Sequence, residues 1–306
     1  MNEIKHYLSD DDKNLSDKIK IELLKTLLLD RTREKADGEV NEDIDADKPK
    51  PDELKNNIIW ATTERGNIPI TIDDIKANLI VPRYKKDREY QKKRTRERAE
   101  IFTPREVCEI QNDTIDAQFS SRENWTDYIK RKVLEITCGE APYLVSRYDV
   151  VTGEPIDIEK RVGLLDRKLK LISEETKTYL DFKNQTKCAL KSIYGYEFQG
   201  DSLFLARQNV FDTIVDYYVE KFNKFPDEDF LTEVVKIISW NLWQMDGLTY
   251  ALPYTVKPAK KPVKGRKQNP KQMAFFDSDE KDGYCQIKDW DKNEKIEPFK
   301  SSLSEG

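Results

Sequence analysis

Three short stretches hold the residues best placed to do chemistry. In 134–144 (LEITCGEAPYL) an apolar, strand-like run ends in a turn containing Glu135, Thr137, Cys138, Gly139 and Glu140. A glycine there lets a ligand approach the backbone closely, as at a nucleotide site in a doubly wound sheet, although ordinary strand-to-helix turns use one too. Glu197 and Phe198 close a second strand-like run, 192–198, where a carboxylate can accept hydrogen bonds from both hydroxyls of a ribose. Asp246 and Gly247 follow a third apolar run in 237–247. Taken singly, each acid is by default a solvated turn residue. Taken together, they sit at the C-terminal ends of parallel strands, the edge where open α/β sheets bind ligands.

Other chemistry is excluded by residue type. Histidine occurs once, as His6, so Ser-His-Asp triads, Cys-His dyads and histidine metal sites lack their central group. Cys108, Cys138, Cys188 and Cys285 form no C-x-x-C pair, which argues against a zinc ribbon. Cys138 reads as small packing. Trp240 and Trp243 read as core rather than ligand contacts, and Tyr143 reads by default as core and alternatively as a neighbour of the ligand. No apolar run reaches the ~18 residues of a membrane span, so a soluble, cytoplasmic protein with reduced thiols is expected.

The elements that must position these turns follow from periodicity. The chain has 306 residues and a net charge of −5; 36% of it is charged and 37% hydrophobic. Its core must therefore be concentrated in part of the length. Residues 1–35 read as largely helical, with Leu15, Ile19, Leu23, Leu24, Leu27 and Leu28 at helical spacing and Ser16 as an opening cap. Residues 36–54 read as an acidic linker. In the mixed 55–100 extension, 58–62 and 79–81 look like short strands. The stretch 83–100 holds nine Lys or Arg against four acids. By default that is a solvated helix face, and alternatively a surface for nucleic-acid phosphate. Residues 101–254 alternate strands (133–137, 192–198, 237–242) with helices (157–190, 202–222, 227–239), which predicts a parallel, helix-covered sheet. A basic then acidic linker (255–283) and a strand-like tail segment (284–306) complete the organisation. The basic 255–272 loop suits DNA phosphates and a tether equally, and 272–276 (QMAFF) suits either a clamp-docking peptide or a loop returning to the core.

The ordered set of motifs resembles the S-adenosylmethionine-dependent DNA adenine methyltransferases of restriction–modification systems. AEIFTP (99–104) is similar to the family's F-T-P motif, which cups the methionine end of the cofactor. Residues 133–144 resemble its first cofactor motif, D-P-x-C-G-S-G-x-F-L. IYGYEFQGDSLFLAR (193–207) resembles the next, in which a strand-end acid binds ribose. ISWNLWQMDGL (238–248) resembles the third, whose Asp receives the adenine amine. NIIWAT (57–62) and these stretches are also similar to the narrower group described as restriction endonuclease subunit M. The resemblance implies a Rossmann-like class I methyltransferase sheet, an S-adenosylmethionine cofactor and DNA as partner. It assigns cofactor contacts to Phe102, Thr103, Pro104, Glu135, Thr137, Cys138, Gly139, Glu140, Glu197, Phe198, Asp246 and Gly247.

The departures are definite. Glu135 stands where the family usually has Asp, and Glu140, Ala141 and Pro142 replace S-G-x. The family's catalytic N-P-P-Y, which would follow Asp246, is missing, and the sequence contains no Pro-Pro dipeptide. That motif orients the target amine and stacks on the flipped base. The expectation is an incomplete sheet, the N-terminal half of the fold with a helical and mixed N-terminal extension, completed by a second chain. The competing expectations are a non-catalytic DNA-binding or scaffold protein of a restriction or phage-defence locus, and another nucleotide-binding protein using the same sheet edge.

Overall fold

The computed structural model describes residues 4–33, 56–98, 100–118, 124–255, 285–292 and 296–298. The expected linkers and the QMAFF stretch lie outside them. Ser16 caps helix α1 (Asp17–Leu28) as its spacing predicts, accepting from the Ile19 N–H, and Leu23, Leu24, Leu27 and Leu28 form its buried stripe. The rest of 4–15 is not helical, a correction to the reading of residues 1–35. Neither expected strand in the extension forms. Ile59 makes only an isolated bridge to Pro69, and 79–81 is irregular. Thr71 and Asp74 instead build a reciprocal capping box for the short helix α2 (Ile72–Lys76).

Helices α3 (Arg88–Arg98), α4 (Arg105–Ala117) and α5 (Trp125–Lys130) precede strand β1 (Val133–Glu135). Helices α6 (Leu164–Glu175) and α7 (Tyr179–Lys191) carry the chain to β2 (Ile193–Glu197), and α8 (Gly200–Phe222) and α9 (Glu228–Asn241) carry it to β3 (Leu242–Gln244). The three strands are parallel in the order β1-β2-β3, with Glu135 beside Gly195 and Glu197 beside Gln244. This is a mixed α/β fold around a small parallel sheet. The apolar run 237–241, expected to open the third strand, belongs to α9; its Asp227 cap and unbroken apolar face extend the helix to Asn241. A separate antiparallel pair, β4 (Gln286–Lys288) and β5 (Ile296–Pro298), includes the expected strand of the tail segment.

Helix α8 is buried almost all round, and most of its polar side chains are bonded rather than solvated, with Thr213 Oγ1 and Asn209 Oδ1 left without a partner. Arg207 is fully buried and donates to four carbonyls: Leu242 (2.8 Å), Leu27 (2.5 Å), Leu29 (2.9 Å) and Ser239 (3.2 Å). One side chain thus ties the end of α1, the end of α9 and β3 together. Burial holds its guanidinium down at about 9. Asp201, at the start of α8, receives a fork from Arg94 at 2.7 and 3.0 Å, and Lys86 at 3.2 Å. Arg94 also bonds Glu100. Burial pushes Asp201 up, but Lys86 and Arg94 outweigh it and hold the carboxyl below its ordinary value. The basic stretch is therefore partly an internal strap, and only its outer residues form a solvated face.

The two edges of the sheet differ. At β3, Leu242, Trp243 and Gln244 are all buried, and the Gln244 amide pairs with both backbone groups of Ile59 at 2.8 Å. At β1, the expected buried strand is instead an exposed edge, with Leu134 45% and Ile136 63% exposed. The exposed side chains of Ile101, Val107 and Ile110 lie on the segment and helix that precede it. In a parallel pair, alternate residues turn their backbone groups to opposite sides; Val133 and Glu135 pair with β2, so Leu134 turns its own to the open side. Among the described residues no strand pairs there.

Candidate functional site: the cleft beyond the first strand

The site begins where β1 runs out. Thr137, Gly139 and Ala141 all have left-handed backbone angles, φ 47°, 54° and 63°. Such alternation is costly for residues with a Cβ and turns the chain sharply back on itself. Two bonds fasten the turn to β2. The Cys138 N–H donates to the Tyr196 carbonyl at 2.8 Å, and the Gly139 N–H to Glu197 Oε2 at 2.8 Å. A Cβ on Gly139 would lie 3.4 Å from the Phe102 ring, so that ring rests on the glycine face. The Arg83 guanidinium covers the ring at 5.0 Å.

Glu197 is the node of the sheet edge. Its other oxygen, Oε1, accepts from the Phe198 N–H (2.9 Å) and the Gln199 N–H (3.1 Å), and its carbonyl accepts from the Met245 N–H (3.0 Å). The turns after all three strands are thereby laced together. Burial raises the Glu197 carboxyl above its ordinary value, against the pull of the amide donors.

A cleft of about 370 Å³ opens between β1, its turn and α4, within the range of small-molecule sites. Six of the expected residues line it: Phe102, Thr103, Glu135, Thr137, Cys138 and Gly139. Pro104 is the N-cap residue of α4, and Asp149 accepts from the Arg105 N–H at 2.9 Å to hold that helix start in place. Glu135 lies in the wall. Its two oxygens accept from the Tyr143 N–H (3.3 Å) and the Leu144 N–H (3.1 Å). Burial, reinforced by Glu197, pushes its carboxyl up to about 8 against those two bonds. Burial also pushes the Cys108 thiol up to about 12 and the Cys138 thiol well above its ordinary value, so neither is a ready nucleophile.

Pro104 and Glu197 do not line the cleft themselves, and the four remaining expected residues lie elsewhere. Glu140 is buried behind the turn, where Oε1 accepts from the Arg83 N–H at 2.7 Å and Oε2 from the Tyr148 hydroxyl at 2.6 Å. Phe198 packs edge-on against Tyr254. Asp246 caps its own turn through the Leu248 N–H at 2.8 Å, and a Cβ on Gly247 would meet the Tyr196 ring at 3.1 Å. Asp246 and Gly247 share the sheet edge with the cleft but do not line it.

The sequence reading missed what α4 contributes. Gln111, Asn112 and Ile115 line the cleft, and Tyr143, read as core, lines it too, with its hydroxyl donating to Gln111 Oε1 at 2.5 Å. Asn112 is fully buried, and its amide nitrogen donates to the Tyr143 and Val162 carbonyls, both at 3.0 Å. Its Oδ1 has no partner. The signal available was a lone Asn on the inner face of an amphipathic helix directly after F-T-P. Among the described residues no His, Cys, Asp and Glu group could hold a metal ion, and no helix is long and apolar enough to cross a membrane. Compared with known proteins, the chain matches no family model, no curated protein and no solved structure.

Proposed function

We propose that the protein is the S-adenosylmethionine-binding subunit of a restriction–modification DNA adenine methyltransferase, completed by a second chain that carries the catalytic motif. The observation that carries this reading is the lacing of the cleft. The Phe102 ring rests on Gly139, whose N–H is held by the strand-end Glu197. The F-T-P, C-G and Glu motifs of the resemblance thus meet at one place. On this reading Phe102, Thr103 and Gly139 take the methionine end within the cleft, while Glu197 and Asp246, which share the sheet edge but do not line the cleft, take the ribose and the adenine amine. Asp246 Oδ1 is used by Leu248, and its Oδ2 takes no hydrogen bond among the described residues. When bound, the cofactor supplies a methyl group activated by positive sulfur. The chain's own residues orient it, since Glu197 fixes the turn geometry before the ligand arrives. The open β1 edge supports the second chain, because an exposed strand with apolar side chains is a template for pairing.

Calorimetry with S-adenosylmethionine tests the reading. The expected result is saturable binding, weakened at least tenfold by Glu197→Ala. No binding to the chain, alone or with its co-encoded neighbour, overturns it.

A further inference from the structure

Helices α3 and α4 follow one another in the chain and carry opposite charge. The α3 sequence has six Lys or Arg against two acids, and α4 has one Arg against four. On α3, the inner Arg94 is taken up by the fold, forking onto Asp201 and bonding Glu100. Lys93 pairs with Glu64 at 2.8 Å, and Glu97 accepts from the Thr63 hydroxyl at 2.8 Å, so that flank is occupied too. What remains is a row. Arg88, Lys92 and Arg96 recur every fourth residue, and all three are exposed. They stand ~6 Å apart along one face of the helix, ~12 Å from end to end. Lys92 meets Glu89 at 2.7 Å, an exposed pair that phosphate can displace. Neither Arg88 nor Arg96 has an ion pair among the described residues.

We infer that this row is a contact for the phosphate backbone of duplex DNA. The inference rests on the part of the proposed function that gives the chain DNA as its partner. A guanidinium presents its donors in a fork that matches phosphate oxygens, and cations on one helix face can follow a phosphate chain. A lipid surface fits less well, because the one apolar side chain of α3, Tyr90, is half-buried and nothing beside the row can enter a bilayer. The chain's net charge of −5 makes a positive face the exception on this molecule, and such local fields steer association. The place is fixed as well. Arg94, on the same helix, is forked onto Asp201, four residues beyond Glu197, so the row is anchored at the C-terminal edge of the sheet, where the cleft opens. The acid-rich α4, with exposed Val107 and Ile110, offers phosphate no such row.

The test is fluorescence anisotropy of the full chain with a short labelled duplex, titrated from about 50 to about 200 mM salt. Each phosphate contact adds about 0.9 to the slope of log affinity against log salt, so Arg88→Gln, Lys92→Gln and Arg96→Gln together should flatten the slope by about 2.7. Over that range the unaltered chain then loses about 40-fold more affinity than the triple variant. A second triple variant, Lys170→Gln, Lys177→Gln and Lys236→Gln, removes the same charge from exposed positions on other elements and should leave the slope unchanged. Neither should shift the melting temperature, since all six side chains are exposed. One reading needs no variant: duplex should shield Lys92 from acetylation, followed by mass spectrometry, and leave Lys170, Lys177 and Lys236 open. Equal flattening by both triples, no flattening by the first, or an unshielded Lys92 overturns the inference. So does equal binding of phosphatidylserine vesicles or polyglutamate through the same row, which would make it a general anion face. No duplex binding, alone or with the co-encoded neighbour, overturns it too. Calorimetry with S-adenosylmethionine on the same samples separates the two readings. Cofactor binding without the slope change overturns this inference alone, and the slope change without cofactor binding overturns the cofactor reading alone.

Discussion

Glu135, Glu140 and Asp166 share one physical condition. Each is a buried acid bonded mainly to backbone amides or hydroxyls, and burial pushes them up to about 8, about 7 and about 6. The consequence for stability has a definite sign. The folded chain holds these protons at pH values where the unfolded chain has lost them, so stability falls as pH rises from their unfolded values towards 6–8. Two groups act at the margins. Lys168, buried and lowered to about 7, adds stability only above that pH, and the ion-paired Asp201 and Asp216 lose theirs in acid. The ligand-free chain should therefore melt highest near pH 5 and lose several degrees by pH 7, followed by circular dichroism. A flat melting temperature across that range would contradict the buried-acid account.

At the scale of elements, the basic helix α3 separates charge that builds the fold from charge that decorates it. Arg94 and Lys86 are buried against Asp201 and Glu100, whereas Lys92 and Lys93 pair with Glu89 and Glu64 at the surface. Arg94→Ala leaves a buried aspartate short of its partner and should cost about 3–5 kcal/mol in denaturant unfolding. Lys93→Ala should leave the midpoint unchanged, because exposed pairs contribute little. Composition alone could not divide the two, since both kinds of residue look alike in a run of Lys and Arg. The helical periods of α1, α6, α7 and α8 and the alternation that made the sheet parallel were legible, because each depends on neighbours within a few residues. The 237–241 run was ambiguous, as a short apolar run suits either a buried helix or a strand. The 58–62 segment had strand composition, but its partner is the Gln244 side chain rather than a neighbouring strand. For the site, the motif turns were legible. Asn112 was not, and Tyr143 only as an alternative to core, because only tertiary packing brings α4 against the turn after β1.

For the whole molecule, the sheet has one covered and one open edge, and the proposed second chain would dock at the open β1 edge. Leu134 and Ile136 already face solvent, so Ile136→Lys should leave the melting temperature of the isolated chain unchanged while abolishing co-elution with a second chain in size-exclusion chromatography. Persistent co-elution would place the partner elsewhere. The docking of α1 has a further consequence in time. Arg207 bonds the Leu27 carbonyl across 180 residues. A ribosome adds ~5–20 residues per second. Helix α1 is therefore made roughly 9 to 36 s before the side chain that fastens it exists. Through that interval Leu23, Leu24, Leu27 and Leu28 have no α9 to cover them, so the nascent chain offers a leucine stripe to any holding chaperone at the tunnel exit.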